Sequence, residues 1–552
     1  MLVEGRGTIF ELRANDASGL VTSPLGSSTS RSMRRGRPFG VLMRTTIIKG
    51  RCPVHGRFVD VAERNVSMSA GPSRVASPHG VDLPRVTERS LRQSFRLWDL
   101  VPLSISSVGP LFSVAATGGV MAAQAGWWTL PAIVILAVPF IISSFVFRLL
   151  NRHFPNAGAS YHWSAKVIGK GVSRYQAWIL LLAYFFSIPP IAIPAGSYTL
   201  ALIAPHSHPS AVVQMAVTLF WIAFAAVPLL LGGRPTAVIT QIFFAVEMVS
   251  LAGFGIFGAL SWHRLAVPIH FGPPPIGGIL IVAVVAATIL DGWEIDSYAA
   301  EESQRPRDHP GIGGIIGAFG ALAFYAILYP LMLGETPLRL LANSTDPLAV
   351  WSHRLLPGAP WAMLIPILLS TAGGLWLTSF ILSRALFAMG REHLVPNGFA
   401  KLNRHSVPHV AIIVSLAMAT LVVGVQIFVS SLSSFFSLVL SAAGFFLLAE
   451  FFLDSITAVV FLSVGHRRVD SAALKPHSHR LLLLGAIFSS VVMGLLIVGF
   501  FIYGPRAIGG GVDIIFAVLL AAGFIFAGWS KRHHRSTFQF SGHDVDESTL
   551  SA

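Results

Sequence analysis

Residues 285–310 read VAATILDGWEIDSYAAEESQRPRDHP. The stretch begins as an apolar helix and meets three acids in mid-run, Asp291, Glu294 and Asp296, with Gly292 beside the first. Glycine accepts backbone conformations at which a helix unwinds. Glu301, Glu302, Arg305 and Arg307 close the stretch and exclude its end from hydrocarbon. Lipid tolerates charged or irregular backbone only where it faces protein or a water-filled cavity. The reading is a transmembrane helix interrupted near 291–294 and lining a cavity, the arrangement that marks the binding sites of secondary transporters.

The composition supports a membrane setting. Of 552 residues 53% are apolar and 12% charged, with mean hydropathy +0.68. Soluble domains carry about 25% charged residues. A single cysteine, Cys52, excludes an intramolecular disulfide and a Cys-based metal cluster, and no cofactor is expected. The net charge of +14 is uneven: residues 1–95 hold 15 Lys/Arg against 7 Asp/Glu. That segment is rich in Arg, Ser, Gly and Pro and is expected to be a disordered basic tail, with no nucleic-acid motif and no signal-peptide h-region. Met68 is a second plausible start, and residues 1–67 are expected to be dispensable or an over-extended reading frame.

Twelve apolar segments follow, at about 99–122, 127–149, 173–203, 211–231, 236–261, 277–300, 311–334, 360–390, 408–428, 432–463, 481–503 and 510–530. Each approaches or exceeds the ~20 residues that span a bilayer. With the amino terminus cytoplasmic, the inner flanks carry 18 Lys/Arg and the outer flanks 4, so both termini are expected inside. The first segment has its own break signal, Ser106-Ser107-Val108-Gly109-Pro110. Pro110 removes a donor and Gly109 eases unwinding, so the segment is either a broken helix whose freed N–H groups hold a carboxylate or a simple proline kink. Two broken helices five spans apart are the signature of a five-plus-five inverted repeat. The expected architecture is all-α and integral to the membrane. It has twelve transmembrane helices, inverted repeats at about 96–262 and 275–465 inside a core over 96–465, two peripheral helices over 466–531, and a cytoplasmic tail over 532–552.

Four stretches resemble the amino acid–polyamine–organocation (APC) superfamily of permeases. They are the Ser/Gly/Pro break of helix 1; FPNAGASYHWSAKVIGKGVSRYQAW (154–178), similar to a Pro-x-x-Gly-x-x-Tyr-x-Trp loop; DGWEIDSYAAEESQRPRDHP (291–310), similar to Gly-Phe-Glu … Ala-Glu-Glu … Pro-Arg; and SRALFAMGREHLVPNGFAKLNRHSVPHVA (383–411), similar to Ser-Arg … Ala-x-Arg-Asp-Gly-x-x-Pro. The resemblance extends over about 95–465; His393 stands where glycine is usual. It implies that helices 1 and 6 bind the substrate's carboxylate and amino groups. By motif position Ser106, Ser107, Val108 and Gly109 on helix 1, and Asp291, Gly292, Trp293 and Glu294 on helix 6, would be the binding residues. Trp293 would be a lid over the substrate or, alternatively, helix packing.

Further polar residues stand inside apolar runs. Glu247 in the fifth span is costly when ionised, and is read as the carrier of a coupling proton or as a structural carboxyl bonded to helix 1. Thr378-Ser379 resembles a sodium-site hydroxyl pair, or bonds its own helix. Glu450 and Asp454, one turn apart, either shape the cavity or pair with Arg384. Glu301, Glu302, Arg305, Arg307, Arg391 and Arg404 gather on the inner side by topology, as an ion-paired inner gate or as solvated charges. Tyr184 and Phe185, before the prolines of the third span, are cavity or packing residues. The function expected is transport of amino acids or related amines across the cell (inner) membrane by alternating access, coupled to protons or sodium, with exchange as the second reading and a sensor or channel as the third. No metal cluster, nucleophile elbow or phosphate loop suggests an enzyme.

Overall fold

The computed structural model describes residues 90–205, 207, 209–428, 431–464, 476–507 and 509–533. The tail to residue 89 with Cys52 and Met68, the 465–475 connection and residues 534–552 lie outside the described residues. Among those described, the chain is helical and its one β-bridge joins Phe95 to Ser303. The helices are α1 (Leu97–Val108), α2 (Pro110–Ala125), α3 (Thr129–His153), α4 (Ala159–Val167), α5 (Lys170–Ile203), α6 (Ala211–Leu231), α7 (Gly233–Leu265), α8 (Ile276–Leu290), α9 (Ile295–Tyr298), α10 (His309–Glu335), α11 (Leu338–Ala342), α12 (Pro347–Leu355), α13 (Trp361–Arg391), α14 (His409–Val425), α15 (Leu432–Ser463), α16 (Pro476–Ala507) and α17 (Val512–His533).

Each apolar segment read from the sequence falls on helix. Among the described residues ten stretches are long and apolar enough to cross a membrane; the first, Leu97–His153, contains α1, α2 and α3. α8 is apolar but, at 15 residues, shorter than the ~20 a bilayer needs. Its chain continues past the break into four-residue α9 and a 3₁₀ turn at Ala300–Glu302.

Burial sorts the helices into a centre and a rim. The apolar stretches of α5 and α13 are each 83% buried, while that of α17 is 17% buried. A helix apolar on every side belongs inside a bundle or in lipid. Here α5, α13 and α15 pack around the broken helices, and α6, α16 and α17 turn Leu, Ile, Val and Phe outward. The prolines of α5, Pro189, Pro190 and Pro194, are all buried, where neighbouring helices replace the missing backbone donors.

The described residues start within the stretch read as tail. Leu91 and Phe95 are buried, and Ser94 and Phe95 each donate a backbone N–H to the carbonyl of Glu302, at 2.8 and 2.9 Å. Gln304 returns a bond to Phe95 O at 2.9 Å, which ties residues 94–95 alongside 302–304.

Candidate functional site: two helix breaks in contact

Gly109 ends α1 in the left-handed region (φ 57°), and Pro110 opens α2. Proline suits a helix's first turn, where its absent N–H would have had no partner. On the other side Asp291 is extended (ψ 175°) and Gly292 has φ 107°. The two breaks touch. A Cβ added to Gly292 would lie 2.6 Å from both the Ser107 carbonyl carbon and Val108 N, so only glycine admits this backbone approach. Ser104 Oγ donates to Trp293 O at 3.3 Å, a further link between the two helices. The hydroxyls of Ser106 and Ser107 are buried at the break with no hydrogen-bond partner. Asp291 is partly exposed, whereas residues 292–300 are buried, so Asp291 is the acid that faces open space at the break.

The amino end of α2 is capped by the protein itself. Leu111 N–H donates to Glu247 Oε1 at 3.1 Å, and Phe112 N–H to Ser370 Oγ at 3.3 Å. Ser370 in turn donates to Glu247 Oε1 at 2.6 Å. A carboxylate at a helix amino terminus satisfies donors that have no partner within the helix and faces the positive end of its dipole. Glu247 of α7 therefore joins α2 to α13. The hydroxyl of α13 that reaches helix 1 is Ser370; Ser379 bonds back to Leu375 O at 2.8 Å, and Thr378 is buried beside it.

Trp293, read as a lid or as helix packing, lies among aromatic rings. It is buried with its ring edge-on to Phe147 at 5.1 Å and Phe451 at 5.7 Å, and its backbone crosses close to Gly314 and Gly317 of α10. It packs the helix 6 break onto α3 and α15. Glu294 instead turns back on its own turn, accepting from Gly292 N–H at 2.7 Å and from Tyr184 OH at 2.9 Å. Tyr184 is thus a site residue, while Phe185 packs against Phe186.

The acids Glu450 and Asp454 do not pair with Arg384. Arg384 Nε donates to Glu302 at 2.8 Å and its guanidinium lies 3.6 Å from the Phe380 ring centroid. Arg391 holds Glu301 through two bonds, at 2.8 and 2.6 Å, and Ala157 N–H adds a third at 3.0 Å. Burial alone would raise the Glu301 carboxyl, but Arg391 and these bonds hold it below its usual value. Of the other charges read as gathering at this end, Arg305 is exposed and Arg404 contacts His405. Sequence reading missed His162, whose Nδ1 lies 2.9 Å from Glu392 Oε1, both buried. Its signal was its position in Tyr-His-Trp, on the short helix that packs against α5 and α15.

At the opposite ends of α5 and α13 from Arg391 lies a cavity of about 740 Å³. Ala116 and Gly119 of α2, Ser197 and Tyr198 of α5, and Asp346 line part of it.

Breaks in contact, apolar helices around them, ion pairs at one end and a cavity at the other define a multi-pass membrane transport protein. Residues 95–526 match a family model described as amino acid permease, and the chain belongs to that family, within the APC superfamily. Among its relatives, the branched-chain amino acid permease BcaP of Lactococcus lactis is 23% identical over 62% of this chain and 78% of its own. Cationic amino acid transporter 3, mitochondrial, of Arabidopsis thaliana is 23% identical over 49% of this chain and 47% of its own, so the match spans about half of that protein. The L-methionine/branched-chain amino acid exporter YjeH of Escherichia coli is 26% identical over 38% and 48%.

Proposed function

We propose that the protein is a secondary active transporter that carries amino acids or related amines across the cell membrane by alternating access. The observation that carries this reading is the contact of Gly292 with Ser107–Val108, which brings two unwound segments to one point. Unwound backbone there offers an amino acid both of the groups it needs. Ser106 and Ser107 present hydroxyls to a carboxylate, with Val108 and Gly109 forming the floor of the break, and Asp291, Gly292 and Glu294 present acceptors to an ammonium. Relatives named for branched-chain, cationic and methionine transport support an amino acid substrate. Because those relatives are transporters, the reading is a carrier and not an enzyme.

In this reading Leu97–His153 makes two passes, α8 with α9 makes one broken pass, and the whole has twelve in a five-plus-five repeat with both termini cytoplasmic. The ion pairs Glu301–Arg391 and Glu302–Arg384 then close the cytoplasmic side while the 740 Å³ cavity opens outward. Proton coupling is favoured over sodium, because the position beside helix 1 carries a carboxyl, Glu247, with Ser370. Its protonation would weaken the bonds that fasten α2 to α7 and α13.

The test is uptake into proteoliposomes of labelled amino acids and polyamines, with and without an inward proton gradient. Gradient-stimulated uptake of one class is expected. Counterflow of a preloaded substrate without gradient stimulation would favour exchange, and no flux of any panel member would overturn the reading.

A further inference from the structure

Glu450 and Asp454 of α15 lie in the buried half of the bundle between the helix 6 break and the Arg391 pair. Both are fully buried. Their four carboxylate oxygens meet few donors. Tyr298 OH is 2.7 Å from Glu450 Oε1. Gln176 Nε2 donates to Asp454 Oδ1 at 2.7 Å. Ser160 Oγ lies 2.8 Å from Asp454 Oδ2, 3.1 Å from Glu450 Oε1 and 3.2 Å from Tyr298 OH, so its single hydrogen has three candidate partners. Glu450 Oε2 has no donor, and neither does Gln176 Oε1, on a side chain that is itself fully buried and bonded into the pair.

Among the described residues no cation forms an ion pair with these acids. The surrounding elements present Tyr298 and Asp296 from α9, Ser160 from α4, Gln176 and Tyr184 from α5, and Asp291 and Glu294 from the break. Among the described residues, α8 and the 481–502 stretch of α16 carry no titratable group. The cationic groups nearby are engaged or lie further along: His162 with Glu392, Arg174 with Lys170 O, and His153 against Phe461, beyond Asp454 on α15. Two carboxylates that share one hydroxyl donor out of water do not both ionise.

We propose that Glu450 and Asp454 form a proton-binding site, holding one proton between them when the cytoplasmic side is closed, and that release of this proton accompanies opening. Binding converts one carboxylate to a carboxylic acid and leaves one negative charge for the donors of Tyr298, Ser160 and Gln176; Glu450 Oε2, which has no donor, is the oxygen free to carry the hydrogen. The site is coupled to both functional ends. Tyr298 stands edge-on to Tyr184 at 5.6 Å, whose hydroxyl holds Glu294 at the break. Ser160 belongs to α4, which follows Ala157, a donor to Glu301 of the gate pair. Opening that moves α4 away from α15 removes Ser160 and exposes the pair to water, where the proton leaves. This deepens the carrier reading and rests on it for its role, but not for the existence of the site.

The experiment is therefore in two arms. Infrared spectroscopy of the purified full chain reads carboxylic-acid C=O bands near neutral pH. A band belonging to this pair is expected in the wild type, lost in Glu450→Gln or Asp454→Asn and shifted in Ser160→Ala, which removes the shared donor without touching a carboxyl. All bands retained unshifted in the three variants would overturn the site. In proteoliposomes Glu450→Gln is expected to lose the ~tenfold accumulation that one pH unit sustains for a one-proton carrier. Accumulation equal to wild type would overturn the coupling role. A wild type that transports nothing would speak against the carrier reading alone, because the infrared result does not depend on flux.

Discussion

At the scale of the residue, the molecule turns on positions where one atom more or less decides the geometry. Gly292 is the clearest. Its φ of 107° disfavours any side chain, and a Cβ would strike the Ser107–Val108 backbone. Gly292→Ala is expected to cost at least ~2 kcal/mol and to abolish transport, checked by thermal unfolding in detergent and by uptake. A variant that transports like wild type would show that the breaks need not touch. Glu247 decides in a different way. Glu247→Gln keeps an oxygen for Leu111 N–H but has no charge to gain or lose, so uptake is expected to lose its response to an inward proton gradient. Proton-driven uptake equal to wild type would refute its coupling role. Asp346, in the loop before α12, is partly exposed toward the large cavity and accepts from Ala349 N–H at 2.9 Å. Burial pushes its carboxyl up to about 7, against the opposing effect of bonds from Ala349 and Leu348. A carboxyl raised in the fold stabilises it fully below the unfolded value of ~4 and ceases to do so as pH rises through the folded value. The melting temperature is thus expected to fall between about pH 4 and 7, with a smaller fall in Asp346→Asn; equal slopes in both would exclude Asp346 as the cause.

At the scale of the element, what sequence could reveal follows from what each signal encodes. Apolar runs of about 20 residues are set by bilayer thickness, so the helices were readable one by one. The breaks were readable because Gly109-Pro110 and Asp291-Gly292 are local violations of helical chemistry. Partner choice was not, because it depends on how one helix is rotated and shifted against another. Thr378-Ser379 and Ser370 share α13, and the eight residues between Ser370 and Thr378 amount to ~12 Å along the axis; only the packed structure shows which turn meets helix 1. Arg384 is likewise on the inner half of α13, but its guanidinium turns toward Glu302 of the turn after α9 and leaves α15 alone. Trp293 was legible as a large ring at the break, not as a ring aimed at Phe147 and Phe451. The latch between the turn at Glu301 and the end of α13 gives an element-scale prediction. Arg391→Ala leaves Glu301 partly buried without its cation, a loss of ~3 kcal/mol from the closed state. Labelling of a cysteine introduced at Ser303, which is fully buried, is expected to speed up in that variant. An unchanged rate would mean that the pair is not what holds this end shut.

At the scale of the whole molecule, the ends of the bundle differ in kind. One end is fastened by charge-assisted bonds, the other holds the 740 Å³ cavity, and the buried acids lie between. In the carrier reading such an arrangement biases the protein toward one of two accessibilities, and a substrate gradient works by reversing that bias. The backbone pairing of Ser94 and Phe95 with Glu302 and Gln304 gives this bias an outward sign. Two short stretches far apart in sequence are fastened edge to edge, so the segment entering α1 must travel with the turn after α9 or else detach from it. Ser94 shares a pocket with Arg404, His405 and Ser406, just before α14, so either event alters the distance between these positions. A pair of spin labels or fluorophores at those two places would therefore report each opening of this end, without touching either helix break.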